Sequence, residues 1–160
     1  MWPELKKEIA VEQESLERLL AVHHDLLAKC KSAVPDQVEI SALSAMLHSF
    51  YTGVENLFKR IAVHVGGDVS HGEMWHSRLL DSMAEATQTR PQVINAQLRD
   101  CLLNYLNFRH VFRHAYTFEL QWGKMASLVS DCENVYKDLK GQIARFVREM
   151  ESHNLKGLKQ

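Results

Sequence analysis

Proline is scarce in this sequence, and so are the alternating patterns that are typical of β-strands. Only three prolines occur among 160 residues, and Pro3, Pro35 and Pro91 each stand where a helix would begin. No alternation of apolar and polar residues rises above background. Between these prolines and a break at Gly66–Gly67, apolar residues recur every three or four positions, which predicts an all-helical chain.

Features of membrane and secreted proteins are also missing. No apolar run approaches the roughly 20 residues that cross a bilayer, and the charged start of the chain does not resemble a signal peptide. Cys30, Cys101 and Cys132 are odd in number and far apart, with no C-x-x-C pair. We therefore expect no membrane association, a location in the reducing cytoplasm, and cysteines that serve as small buried residues.

Neither sign of charge is in excess. The chain has 19 basic and 20 acidic residues, so its net charge is −1, whereas a protein that holds nucleic acid by non-specific electrostatics alone would be more basic. Any contact with RNA or DNA must therefore be local. The hydrophobic content of 46% excludes wholesale disorder. We expect a single domain over residues 1–160, with a flexible polar tail over residues 152–160.

Sequence motifs for common chemistries are absent or incomplete. The chain has no G-x-G-x-x-G, no P-loop and no G-x-S-x-G, so dinucleotide, NTP and hydrolase chemistry have no support. His110 and His114 have a spacing that can hold zinc, but no H-E-x-x-H glutamate or cysteine pair accompanies them. Glu73 and His76 form one E-x-x-H, whereas di-iron bundles need two. We expect no metal and no cofactor, and a zinc enzyme that uses His110 and His114 is a minor alternative.

The apolar periodicity divides the chain into four long helices and one short helix. Near-heptad spacing in the second helix is typical of an antiparallel bundle with brief loops. Asp36 is a candidate N-cap of that helix, and His76 a candidate for a packing and hydrogen-bonding corner. The longest predicted loop runs from Gly66 to Gly72. The five predicted helices cover about residues 4–33, 37–65, 73–87, 92–117 and 121–150.

A cationic patch is predicted late in the helix over residues 92–117. With Arg109 at zero on a helical wheel, Arg113, His110 and His114 fall at about 40°, 100° and 140°. Tyr116 lies at the border, close to Arg109. No acidic residue lies between these four potential cations. Their proximity is unfavourable, because like-charge neighbours destabilise a helix. The opposite arc is apolar and holds Tyr105, Phe108, Val111, Phe112, Ala115 and Phe118.

This patch has two interpretations that the wheel leaves open. The first is an anion site, since the planar donor fork of arginine suits phosphate and histidine titrates near neutral pH. The second is a solvated basic stripe with no ligand.

The patch resembles the R-x4–6-H signature of the HEPN superfamily. Arg109, His114 and Tyr116 together match the R-x4-H-x-Y of HepT-like ribonuclease toxins, and the polar His110 follows the arginine as in that signature. The resemblance extends over nearly the whole chain. It includes residues 50–55, Trp75–His76 with Leu79–Leu80, and Phe118–Leu120.

The resemblance implies a metal-independent endoribonuclease that acts as a homodimer, with the motif helices meeting across a cleft. RNA cleavage through its own 2′-hydroxyl needs a base, an acid and cations for the pentavalent phosphate, and a two-fold dimer supplies two of each group. We assign proton transfer to His114 and transition-state charge to Arg109. His110 would assist or orient, and Arg113 would hold a neighbouring phosphate of the RNA, either tRNA or mRNA.

HepT-like toxins are paired, as a family, with a minimal nucleotidyltransferase antitoxin that adds AMP to the motif tyrosine. The resemblance therefore implies a type II or type VII toxin–antitoxin pair in which Tyr116 is adenylylated. Two alternatives stay open. Tyr116 could be an unmodified, half-buried ring, and the protein could be a non-catalytic HEPN bundle for binding or dimerisation, which its near-neutral charge favours.

Overall fold

The chain folds as a bundle of α-helices. The computed structural model describes residues 2–66, 72 and 74–158, and no strand occurs among them. The prediction of an all-helical bundle with four long helices is confirmed. Its helices are α1 (Trp2–Val22), α2 (His24–Lys29), α3 (Gln37–Val65), α4 (Trp75–Met83), α5 (Ala96–His114) and α6 (Trp122–Gly157), with a 3-10 turn at Thr117–Glu119.

Helix α3 is the centre of the bundle, because it packs against α1, α4, α5 and α6. It begins where the sequence predicted, after the N-cap Asp36, and the structure shows that this cap is a capping box. The Asp36 carboxylate accepts a hydrogen bond of 2.8 Å from the Glu39 amide, and the Glu39 side chain accepts one of 3.1 Å from the Asp36 amide. Gly53 lets α1 approach closely, since a Cβ there would lie 2.6 Å from the Leu16 side chain.

The first predicted helix is two helices. At His23 the backbone leaves helical geometry, and the ring Nδ1 lies 2.9 Å from the Leu19 carbonyl oxygen. The buried positions around this break are Leu20 and Leu27.

Helix α5 starts at Ala96 and not at about residue 92 as predicted. The segment before it is hydrogen-bonded to the rest of the bundle in an irregular conformation. Arg90 in that segment is buried, and its guanidinium donates hydrogen bonds to backbone carbonyls on several sides. Asn95, rather than a residue beside Pro91, is the N-cap, and its side chain accepts from the Leu98 amide at 2.8 Å. The carbonyls that Arg90 bonds belong to Gly66, Ser82, Glu85 and Pro91.

The C-terminal ends of α5 and α6 differ from prediction. Helix α5 ends at His114, because Ala115 adopts an extended backbone with φ −121° and ψ 148°. Helix α6 continues to Gly157, beyond the predicted end at residue 150. Residues 152–157 of the predicted tail are therefore helical, and residues 159–160 lie outside the described part of the chain, as do residues 67–71 of the predicted loop.

The cysteine prediction was wrong in part. Cys132 is buried, but Cys30 is half-buried and Cys101 is exposed, and all three are free thiols. Cys101 is exposed because α5 turns Leu98 and Leu102 to the core instead. None of the described helices is both long and apolar enough to cross a membrane.

Candidate functional site

Arg109 does not lie free on the surface of α5. Its Nη1 donates to Oε1 of Glu55 on α3 at 3.0 Å, and only 13% of the arginine side chain is exposed. Its Nε is buried and has no hydrogen-bond partner among the described residues. The helical wheel places no acid between the four potential cations of α5, but in the folded protein Glu55 of α3 pairs with one of them, Arg109.

Glu55 is the buried acid of this region and binds more than one partner. Its Oε2 accepts from Nδ1 of His76 on α4 at 2.6 Å, which confirms His76 as a hydrogen-bonding corner. Nζ of Lys59 lies 3.8 Å from Oε1. Lys59 also sits over the ring of Trp75, 4.4 Å from its centre, and Trp75 stacks on His76 with ring centres 3.7 Å apart. A single carboxylate thus joins α3, α4 and α5.

His110 and His114 are brought together at the exposed end of α5. Their ring centres lie 5.0 Å apart, and the ring planes are inclined at 65° in an edge-on contact. Both are exposed, and neither forms an ion pair within the part of the chain that the structure describes. Arg109 points to α3, whereas His114 lies about 140° around the helix and about 7.5 Å along it. A single chain therefore presents the two catalytic candidates on different faces of α5.

Arg113 is exposed one turn after Arg109. It lies close enough to α3 for its positive charge to affect His48 on that helix. The pKa of His48 on α3 is lowered from its ordinary value, chiefly by partial burial and further by the positive charges of Arg109 and Arg113. The His48 ring also packs against Phe112, with centres 5.1 Å apart. A neutral imidazole thus lies beside the two arginines at neutral pH.

Tyr116 lies outside the helix, so its predicted position on the wheel was wrong. The chain is extended at Ala115 and Tyr116, which removes the helical relation to Arg109. The Tyr116 side chain is 71% exposed and stacks on Phe118, with ring centres 5.4 Å apart. The half-buried alternative for this ring is therefore wrong.

The apolar arc of the predicted wheel is only partly buried. Phe108 is in the core, but Val111 and Phe118 are exposed. Val111 and Phe108 line a groove of about 490 Å³ between the end of α5 and the start of α6. Its other lining includes Leu120 and Met125, with Asn104 and Lys124 among the polar residues.

The described residues contain no group of three or more His, Cys, Asp or Glu side chains that could hold a metal ion. His110 and His114 thus have no third ligand from that set. Glu73 of the single E-x-x-H lies outside the described residues.

Comparison with known proteins identifies the family. The model of the family described as HepT-like protein matches residues 42–150, which is most of the chain and includes Glu55, His76 and Arg109 through Tyr116. The chain belongs to the HepT-like family. No curated protein and no solved structure matches this HepT-like chain.

Sequence reasoning did not place Glu55 or His48 in the candidate site. The sequence pattern could have identified Glu55, because it is a lone acid among the apolar positions Tyr51, Val54 and Phe58 on the inner face of α3. A carboxylate in such a position needs a buried partner. The sequence pattern could not identify His48, because its proximity to Arg109 and Arg113 depends on how α3 and α5 pack.

Proposed function

We propose that this HepT-like protein is a metal-independent endoribonuclease and the toxin of a toxin–antitoxin pair. The observation that carries the proposal is the arrangement of His110 and His114. Both are exposed, and neither forms an ion pair among the described residues. They lie at the same end of α5 as Arg109 and Arg113. Exposed imidazoles and guanidinium groups at one helix end supply what phosphodiester cleavage needs, namely proton carriers and cations for a phosphate.

The proposed reaction uses the 2′-hydroxyl of the RNA. A histidine base removes the 2′-hydroxyl proton, and O2′ attacks the adjacent phosphorus. The P–O5′ bond breaks, and a second histidine protonates the departing 5′-oxygen, so the products carry a 2′,3′-cyclic phosphate and a 5′-hydroxyl. His114 transfers protons, with His110 assisting, while Arg109 stabilises the pentavalent phosphate and Arg113 holds a neighbouring one.

A second copy of the chain completes the proposed site. Within one protomer, Arg109 and His114 point in directions that differ by about 140°, so a single phosphate does not meet both at once. Pairing of two motif helices supplies Arg109 from one copy and His114 from the other. The exposed apolar side chains of Val111 and Phe118 support this pairing, because they lie on the same end of the bundle and lose water on association.

The proposed inhibitor is a minimal nucleotidyltransferase antitoxin that adds AMP to Tyr116. Exposure of this side chain supports the proposal, since its hydroxyl has to enter another enzyme's active site. The added phosphodiester would lie beside the cationic patch and compete with RNA. Co-expression with the cognate antitoxin is expected to raise the intact mass by multiples of one AMP unit, and Tyr116→Phe to abolish the increase.

A non-catalytic binding or dimerisation module is the second candidate. The ion pair of Arg109 with buried Glu55 favours it, because a structural arginine would be held in the same way.

RNA cleavage in the presence of EDTA separates these functions. Wild type is expected to cleave RNA, and His114→Ala to be slower by about two to four orders of magnitude, the usual contribution of acid–base catalysis. His24→Ala is the matched control, because His24 is exposed on α2. Equal rates for wild type and His114→Ala would remove the catalytic assignment. Loss of wild-type activity in EDTA would support the zinc alternative instead.

A further inference from the structure

Glu55 is held at both of its oxygens, and by different helices. Oε1 accepts from Arg109 of α5 at 3.0 Å, and Oε2 accepts from His76 of α4 at 2.6 Å. Only 3% of the Glu55 side chain is exposed. A carboxylate bonded at both oxygens in a buried setting has one orientation, so it offers the Arg109 guanidinium an acceptor at a fixed position.

The pairing does not cancel the positive charge of Arg109. Lys59 lies 3.8 Å from the same carboxylate oxygen, so one negative charge faces two permanent cations. Arg113 adds a third cation on the next turn of α5 and has no ion pair among the described residues. The site therefore keeps a net positive charge for a phosphate while Arg109 is fixed in place.

We propose that Glu55 and His76 are positioning residues that orient the Arg109 guanidinium for the scissile phosphate. The inference rests on the proposed ribonuclease function. Arginine loses much side-chain freedom when it is fixed, and a guanidinium that is already oriented does not lose it during the reaction. Glu55 fixes the group, and His76 fixes Glu55.

The burial of Arg109 supports a positioning role. Its Nε is buried without a partner among the described residues, so Glu55 Oε1 is the acceptor that holds the side chain in that part of the structure. An arginine stabilised by many contacts would keep its orientation without the carboxylate. Here, loss of the Glu55 charge is expected to let the guanidinium turn.

A double-mutant cycle on cleavage rate tests the proposal. Glu55→Gln preserves the size of the side chain but removes its charge, and it is expected to lower kcat by about a hundredfold with little change in KM, as a small misplacement of a catalytic group does. In an Arg109→Lys background the same change is expected to cost little more, because the group that it positions is already altered. A purely structural role would give additive losses or a lower melting temperature with an unchanged kcat.

His76 offers a graded test. His76→Asn retains a donor near the place of Nδ1 and is expected to keep most of the activity, whereas His76→Ala is expected to behave like Glu55→Gln. Glu8→Gln is the matched control, because Glu8 pairs with His64 at 2.9 Å and Arg60 at 3.7 Å between α1 and α3. It removes the same kind of contact outside the site, and its kcat is expected to equal that of wild type.

A second measurement is independent of catalysis. The ¹⁵Nε resonance of Arg109, assigned with Arg109→Lys, is expected to be sharp in wild type and in Glu8→Gln, and broadened or shifted to an unrestrained position in Glu55→Gln. If wild type cleaves no RNA but this resonance responds as expected, the ribonuclease proposal fails and Glu55 is shown to order Arg109 only structurally. An unchanged resonance in Glu55→Gln, or an unchanged kcat, overturns the positioning proposal.

Discussion

Glu55 of α3 and Arg109 of α5 form a buried ion pair of 3.0 Å that joins the centre of the bundle to the candidate site. The pair gives Arg109 two roles, since the same guanidinium that is proposed to meet a phosphate also neutralises a buried carboxylate. Mutations at Arg109 are therefore expected to alter both stability and the proposed chemistry, whereas mutations at exposed His114 are expected to alter the proposed chemistry alone.

Arg109→Ala is expected to lower the free energy of unfolding by about 1–3 kcal/mol, because the buried Glu55 carboxylate loses one partner and keeps His76 and Lys59. His114→Ala is expected to change it by less than about 0.5 kcal/mol, as exposed substitutions usually do. Urea denaturation followed by circular dichroism measures both. Equal stability of the two variants would contradict the description of Arg109 as a buried structural partner.

His48 is expected to make stability depend on pH. Its pKa in the folded protein is lowered by partial burial and by Arg109 and Arg113, so the unfolded chain binds a proton more readily. Stability from this group is present above the ordinary pKa of 6.5 and is lost as the pH falls from there towards the lowered value. Denaturation at about pH 7.5 and about pH 5.5 should show a larger loss for wild type than for His48→Gln. An equal loss in both would exclude His48 as the cause.

Arg90 is expected to be essential for the connection between α4 and α5. Its buried guanidinium donates to the carbonyls of Ser82 at 2.9 Å and Glu85 at 2.9 Å, and to Gly66 at the end of α3. Arg90→Met leaves these acceptors without the donor and is expected to cost at least about 3 kcal/mol of unfolding free energy. Arg99→Met is the control, because the Arg99 guanidinium contacts only the exposed carboxylates of Asp81 and Asp100 among the described residues. Equal losses for the two variants would contradict this role.

The three thiols are expected to react at different rates. Burial raises the pKa of Cys132 to about 12 and also raises that of half-buried Cys30, whereas Cys101 is exposed. A thiol reagent near neutral pH should therefore label Cys101 first and Cys132 only when the protein unfolds. Mass spectrometry of timed samples locates the label. Early labelling of Cys132 would show that α6 packs less tightly against the core than described.

The helices could be predicted because their signal is local. Helix α3 was predicted at residues 37–65 with Asp36 as its cap, and both were confirmed, since apolar periodicity and capping chemistry lie within a few residues of one another. The ends of α5 could not be predicted in this way. They depend on Arg90 holding the preceding segment and on the extended backbone at Ala115, which are set by the rest of the fold.

The candidate site was predicted in its parts but not in its connections. A helical wheel gave the positions of Arg109, His110, Arg113 and His114 on one helix. It could not show that Glu55, more than 50 residues earlier in the chain, would bind the arginine, because that contact depends on the packing of α3 against α5. The roles of the four residues stay predictions until activity is measured.

The central proposal is that the cationic patch of α5 promotes attack by the 2′-hydroxyl of RNA on the adjacent phosphate. The most direct measurement compares wild-type cleavage of an RNA in EDTA with cleavage of the same strand carrying one 2′-deoxynucleotide on the 5′ side of the scissile phosphate. We expect the all-ribose strand to give a 2′,3′-cyclic phosphate end and the substituted strand to stay intact at that position. Cleavage of both strands at the same rate, or of neither, would contradict the account.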